Sequence, residues 1–523
     1  MKLRSFMLLL ALCLVLTGCF GAGFSVVPFS DMEYARPDME QLENSYAALC
    51  ETAQGEDVEA VVDAIYAFYD AYDWFYTCYS LADIHYSADL RDTYWEKEYA
   101  YCAEQSVQAD ALLEDMSYML AQSPCREALE GEEYFGEGYF DAYEGENLWD
   151  DDYSALLTRE AALISDYYAL SEEAGALTAG TESYYDTCAE DMAQVLVDLI
   201  EVRQEMADYW GYDSYPQFAN DMFYYRDYSP EQMASYLEDI RENLTGVYTR
   251  MNTSSVWEET AAPYSETENF RFLKQAAKNM GGTIWETFRM LEEGDLYDIT
   301  CSEYKYPASY EVYLTWYAEP YIFLCPDGTQ YDKLAFAHEF GHFCNDYACY
   351  GSYAGVDVAE FYSLGMEYLA ICYGEDTQML SRLKLADSLA TFVEQAAFAS
   401  FEQKMYSLTG EDLTVESLCA LYEEIALEFS FDSVGFDRRE FVDITHFYTN
   451  PMYIISYVVS NDAAMQLYQL EQQEPGSGLA LMEEVLDSQQ EWFLAFLEEA
   501  GLESPFRPGR MEQLREEFEA HFC

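Results

Sequence analysis

Ala337-His338-Glu339-Phe340-Gly341-His342 is the stretch around which this chain is organised. On a helix, His338 and His342 stand one turn apart at i and i+4, so both imidazoles leave the same face. That spacing lets two ring nitrogens hold one metal ion at about 2.0–2.1 Å. Glu339 begins beside the first imidazole and can reach a water on the metal as general base. A His-Glu-x-x-His pentad also arises by chance in a chain of 523 residues, so its surroundings decide the reading.

Strand signals precede the pentad. Glu311-Val312-Tyr313-Leu314-Thr315-Trp316-Tyr317 is rich in β-formers. Pro320-Tyr321-Ile322-Phe323-Leu324-Cys325 follows, closed by a Pro326-Asp327-Gly328 turn. The expectation is a small β-sheet beside the metal helix. After the pentad, Asp357-Val358-Ala359-Glu360-Phe361-Tyr362-Ser363-Leu364-Gly365-Met366-Glu367 reads as a second helix. Catalytic zinc keeps three protein ligands and one open position, and two His plus a carboxylate is a frequent set. Glu360, eighteen positions after His342, is one candidate for the third ligand. Glu367, two turns further along the same face, is its rival.

Outward from there the pattern is helical, from Asp31 to Met290 and again after the strands to the C-terminus. Val58, Val61, Val62, Ile65, Tyr69 and Tyr72 follow the spacing of a helix packed on one face. Asp186–Tyr209 and Pro230–Leu244 read the same way, the latter with Ser229 as N-cap and Pro230 at the first helical position. Gly131–Gly145 and Thr253–Glu268 read as loops. No internal repeat or composition break divides the chain, and residues 31–523 read as one mainly α-helical body.

The composition narrows the partners. Acidic residues number 99 against 25 basic, a net charge of −74. Such a surface repels nucleic acid and anionic membrane. A chain that is 50% hydrophobic and 17% aromatic is not disordered despite its charge. Residues 1–18 read as an export signal: Lys2 and Arg4 precede the apolar run Phe6–Leu16, which is too short to span a bilayer. Leu16-Thr17-Gly18-Cys19 resembles the bacterial lipoprotein box, in which cleavage leaves Cys19 lipidated as the first residue. Residues 19–30 then serve as anchor and tether. The expected location is outside the cytoplasm, attached by lipid to a bacterial cell membrane. Of 14 cysteines, Cys13 leaves with the signal; the rest are scattered, and no bridge is assigned. Cys344 and Cys349 follow the pentad closely, but thiol ligation of the metal is not favoured.

These residues together resemble a known family, the M3 metallopeptidases, which include thimet oligopeptidase and oligoendopeptidase F; the likeness is closer to the latter. Pro320-Tyr321-Ile322-Phe323-Leu324 leads through Gly328 and Asp332 into Leu334–His342, similar to that family's strand, loop and metal helix. Asp357–Glu367 resembles its second metal helix, with the Glu-x-x-Ser element at Glu360 and Ser363, and so places Glu360 ahead of Glu367. Arg203-Gln204-Glu205-Met206-Ala207 with Gly211-Tyr212-Asp213-Ser214-Tyr215 is similar as well. So is Phe398-Ala399-Ser400-Phe401-Glu402 with Gly410 and Leu413-Thr414-Val415-Glu416. The likeness covers about Asp186 to Leu470. Two features depart from it: the stretch from His342 to Glu360 is short, and Asn345 stands where a histidine is common.

The resemblance implies roles far from the pentad. His446, one of five histidines, precedes Pro451-Met452-Tyr453 and Tyr457. By likeness His446 and Tyr457 stabilise the oxyanion, with Tyr453 a turn earlier on the same face. His85 and His521 read as surface residues. The family's bean-shaped helical body encloses a deep central channel, which implies short oligopeptides as substrates. Its strand, here Tyr321–Leu324, would pair with substrate backbone. The expectation is a metallopeptidase with one Zn2+ held by His338, His342 and Glu360, and with Glu339 as base. The competing expectations are a catalytically silent peptide-binding lipoprotein of the same fold and a structural surface protein.

Overall fold

The computed structural model describes residues 26–131, 134–144, 150–174, 182–252, 265–351, 354–375, 377–433 and 435–522. The signal, Cys19 and residues 253–264 of one expected loop lie outside these. The architecture is mainly α with one three-stranded sheet. Two compact units form, each drawn from three separated segments. The first takes residues up to 150, 282–327 and 346–353; the second takes 151–281, 328–345 and 354–523. Interleaving of this kind leaves no composition break along the sequence.

In the first unit, helices α1 (Met39–Thr52), α2 (Val58–Ala88) and α3 (Thr93–Ala121) pack together. Each starts on an aspartate whose carboxylate accepts a free N-terminal amide: Asp38 from Glu40, Asp57 from Ala60, Asp92 from Tyr94. Val61, Ile65 and Phe68 are fully buried, as their spacing requires. The core extends into the expected loop at Gly131–Gly145, because Tyr139, Phe140 and Tyr143 on a short 3-10 turn are buried in it. His85 is half-buried rather than exposed: its ring stacks on Trp95 at 4.3 Å and approaches Phe29 at 5.6 Å. Within the expected tether, residues 26–30 are packed, with the Val27 amide on Glu319 Oε1 at 2.9 Å and the Phe29 ring 4.3 Å from Tyr321.

The sheet belongs to the same unit. Strands β1 (Tyr297–Asp298), β2 (Tyr310–Leu314) and β3 (Glu319–Phe323) lie in the order β1-β3-β2. β2 and β3 form an antiparallel hairpin, whereas β1 runs parallel to β3. Thr315, Trp316 and Tyr317, expected in the first strand, make the reversal, with Tyr317 N–H donating to the Leu314 carbonyl and Ala318 at φ 53°. β3 is the central strand, and both of its edges are bonded within the sheet, so Tyr321–Leu324 offers no free backbone edge to a peptide. Two-residue β1 closes that edge, and a strand so short leaves no alternation to read in the sequence.

The second unit carries helices α4 (Glu182–Tyr209), α5 (from Asp332 in the Asp332–Cys349 helix), α6 (Val356–Tyr373), α7 (Gln378–Ala390), α8 (Ala396–Met405), α9 (Thr445–Thr449) and α10 (Ile455–Gln473). The helix expected at Pro230 runs to Asn252, and Ser229 and Gln232 cap its start reciprocally: each side chain bonds the other's backbone N–H. α6 is buried along almost its whole length and packs on α10, so it reads as apolar around most of its circumference. α5 passes close to α6 at Gly341. A Cβ there would stand 2.4 Å from the Tyr362 carbonyl oxygen and 2.6 Å from Ser363 Cα, so only glycine lets α5 and α6 cross at this distance.

Candidate active site

That crossing sets the site. His338 and His342 project from α5 with ring centroids 5.1 Å apart. Glu360, on α6, points its Oε2 between them, 3.4 Å from His338 Nε2 and 3.9 Å from His342 Nε2. Among the described residues these three are the group whose donor atoms gather closely enough, within 4.8 Å, to hold a metal. Donors in tetrahedral positions about 2.0–2.1 Å from one ion stand roughly 3.3–3.4 Å apart. Two imidazoles and a carboxylate are donors that zinc takes, and Glu360 Oε2 stands at that spacing from His338 and somewhat further from His342. Glu360 is 3% exposed while the imidazoles keep 21% and 19%, so the cluster is closed behind the carboxylate and open on the histidine side.

Two of the three donors, Glu360 and His338, are held by further groups. Glu360 Oε2 accepts from Ser363 Oγ at 2.9 Å, which gives the Glu-x-x-Ser spacing a physical purpose on one helical turn. Glu360 Oε1 accepts from Tyr453 Oη at 2.6 Å. Glu367 does not join the cluster. Its Oε1 lies 2.9 Å from His338 Nδ1, on the far side of the ring from Glu360. Asn345 donates to the Leu486 carbonyl at 2.8 Å and takes no part.

The charges follow from burial and neighbours. Burial alone would raise the Glu360 carboxyl, but the two imidazoles, Tyr453 and Ser363 hold it below the usual carboxylate range. Desolvation raises Glu339 to about 7 against the pull of His338. It lowers His342 to about 4, leaving that ring neutral. Burial would lower His338 too, yet the Glu367 hydrogen bond and the Glu360 charge raise it to about 9.

The third arm is the segment from α9 into α10. His446 Nε2 lies 3.3 Å from Tyr457 Oη, and the Tyr453 ring lies between 5 and 6 Å from both rings. Burial lowers the His446 pKa, so the ring is neutral near pH 7. His338, His342, Glu360, Tyr453, Tyr457 and His446 are thus joined by direct contacts, and Glu339 adjoins His338 on α5. Tyr453 differs in one respect: its hydroxyl is bonded to Glu360.

Residues to which the sequence reading gave no role fix this arm, although Arg203 and Glu402 lie in stretches that resemble the family. Buried Arg203, on α4, donates from Nη1 to the Phe447 carbonyl at 2.7 Å and from Nη2 to the Tyr448 carbonyl, while its Nε pairs with Glu160 at 2.6 Å. Glu402 on α8 accepts the Met452 amide at 2.6 Å, holding that residue at φ 68°. Arg226 bonds Ser456 Oγ at 2.8 Å and stands 3.4 Å from Asp357, on the helix that carries Glu360. Burial of an arginine in a chain with only 25 basic residues could have been a signal, but nothing local marks which ones are buried.

Residues 29–147 match the family model described as Peptidase M3 N-terminal domain. No curated protein matches the chain. Among solved structures, PZ peptidase A with inhibitor 2 is similar at TM-score 0.80 and 19% identity, covering 94% of this chain and 99% of that one. Two structures assigned as oligoendopeptidase F, the second from Bacillus anthracis str. Ames, are similar at TM-scores 0.81 and 0.78. Their identities are 19% and 20%, and each covers 95% of this chain and 98% of its own. Residues 29–147 are similar to the M3 N-terminal domain, and the chain shares the fold of the structures assigned as oligoendopeptidase F along nearly its whole length.

Proposed function

We propose that this chain is a zinc-dependent endopeptidase that cleaves short oligopeptides outside the cytoplasm, tethered to a bacterial membrane by lipid on Cys19. The observation that carries the reading is the convergence of His338, His342 and Glu360 beside Glu339, whose carboxyl burial pushes up to about 7. Zinc held by those three side chains would supply Lewis acidity toward the scissile carbonyl and lower the pKa of its water toward about 7.

The chain's own residues supply the rest. Glu339 takes the proton of the attacking water and later delivers it to the leaving amine. His446 and Tyr457 stand together to hold the developing oxyanion. Tyr453 and Ser363 keep Glu360 anionic and aimed at the cluster. The net charge of −74 supports peptide over nucleic acid as substrate. No helix among the described residues is long and apolar enough to cross a membrane, and the anchor reading rests on the lipoprotein box.

A catalytically silent peptide binder of the same fold has no need of Glu339. Cleavage of a quenched peptide library by wild type and Glu339→Gln separates the two readings. The variant should retain one zinc and lose about 10²–10⁴ in kcat. Zinc-loaded wild type without activity would reject the enzyme, and equal activity in both proteins would reject Glu339 as its base. Cys19→Ala should release the protein from membranes; continued membrane attachment would reject the anchor.

A further inference from the structure

A buried lysine stands behind the metal cluster. Lys384, on α7, has a fully buried side chain in a protein that carries few cations. Its Nζ lies 2.9 Å from Glu367 Oε2, 3.5 Å from Asp387 Oδ2 and 5.0 Å from the centre of the Tyr368 ring. The other oxygen of Glu367 is the one on His338 Nδ1, at 2.9 Å. The other oxygen of Asp387 accepts from Tyr331 Oη at 2.8 Å. Tyr331 immediately precedes α5, the helix that carries His338. The contacts therefore run from His338 through Glu367, Lys384 and Asp387 to Tyr331, and return to the helix where they began.

We propose that Lys384 is a positioning residue whose ion pair with Glu367 orients His338, so that this closed circuit of side chains sets zinc affinity rather than turnover. The inference rests on the reading of zinc at His338, His342 and Glu360. Its physical basis is the way a ligand imidazole is fixed. With Nδ1–H donating to Glu367, the lone pair of Nε2 faces the Glu360 side, and the ring plane is set by that one bond. Glu367 can hold this pose only while its second oxygen is engaged. Lys384 engages it and balances Asp387 as well. Without the cation, two buried carboxylates would face each other unneutralised, and the acceptor of His338 would lose its anchor. Tyr331 pins the far end of the circuit to the start of α5, so the histidine and the last member move as one body.

The test is zinc titration of metal-free protein against a competing chromophoric chelator, with kcat measured at saturating zinc. Lys384→Met should bind zinc about 10–100-fold more weakly, the range for partners of metal-ligating histidines. Its kcat at saturating zinc should stay within about threefold of wild type. Tyr331→Phe removes one hydroxyl from a partly exposed ring and should fold normally; it should weaken zinc binding several-fold, which decides the matter should Lys384→Met fail to fold. Lys384→Met combined with Glu367→Gln should bind no more weakly than Glu367→Gln alone, because the lysine acts through the glutamate. Unchanged affinity in Tyr331→Phe and Lys384→Met, or additive losses in the double variant, would overturn the proposal. A wild type that binds no zinc would overturn the underlying metal reading instead.

Discussion

The phenol of Tyr453 donates a 2.6 Å hydrogen bond to Glu360 Oε1, joining the segment that carries His446 to the carboxylate of the metal cluster. One oxygen of Glu360 thus faces the imidazoles while the other is held by an element almost a hundred residues away. Tyr453→Phe should lower zinc affinity by about tenfold, in the range seen for partners of metal ligands. Chelator competition measures it, and an unchanged affinity would show that Ser363 alone suffices to orient Glu360.

Tyr457 stands differently, with its hydroxyl 3.3 Å from His446 Nε2 and no bond to Glu360. Tyr457→Phe should therefore reduce kcat by about 10²–10³, the usual loss of one oxyanion donor, and leave zinc affinity unchanged. Steady-state kinetics on a quenched peptide, with zinc content alongside, distinguishes this pattern from that of Tyr453→Phe.

Arg203 bears on His446 through the two carbonyls that follow it. Arg203→Met strips those acceptors and Glu160 of their cation and should destabilise the protein by about 3 kcal/mol. Arg203→Lys keeps the charge but not the planar fork. It should recover most of the stability and little of the kcat, as read by denaturant unfolding beside kinetics.

Gly341→Ala places a methyl 2.4 Å from the Tyr362 carbonyl oxygen, where backbone rather than a flexible side chain must yield. Overpacking of this kind costs about 1–3 kcal/mol. The added loss should be in zinc affinity, since pushing α5 from α6 separates both histidines from Glu360. A variant with normal zinc binding would mean that the helices meet elsewhere.

Stability should fall as pH rises from about 4 to about 7. Desolvation raises Asp73, Glu114, Glu319 and Glu402 to about 7, against 3.8 or 4.5 for the unburied carboxyls. Between those limits the folded chain keeps protons that the unfolded chain releases, so raising the pH favours unfolding; above 7 the dependence flattens. Thermal melts across this range measure it. Glu402→Gln, which preserves an acceptor for the Met452 amide, should make the slope shallower.

How much was legible can be judged residue by residue. His338 and His342 were readable because the i and i+4 relation is local and survives any packing. Glu360 and Ser363 form a similar local pair, one turn apart. The same helix bears Glu367, and spacing alone left it a rival of Glu360. In the structure one carboxylate faces the Nε2 atoms and the other faces Nδ1 of His338. His85 misled for a comparable reason: nothing near it in sequence announces that Phe29 and Trp95 will close around its ring.

The helical body, the pentad, the two longer strands and the acidic character are all legible in the order of residues alone. Each follows from residue type, or from periodicities of 3.6 and 2 that the backbone imposes over a few residues. Tertiary structure decided what those elements meet. It made β3 central, turned Glu367 toward His338, set Lys384 behind it, and brought Arg203 and Tyr453 to a site distant in sequence. Contacts of that kind depend on where helices cross, and a crossing such as Gly341 against Tyr362 is fixed by the packing of whole elements.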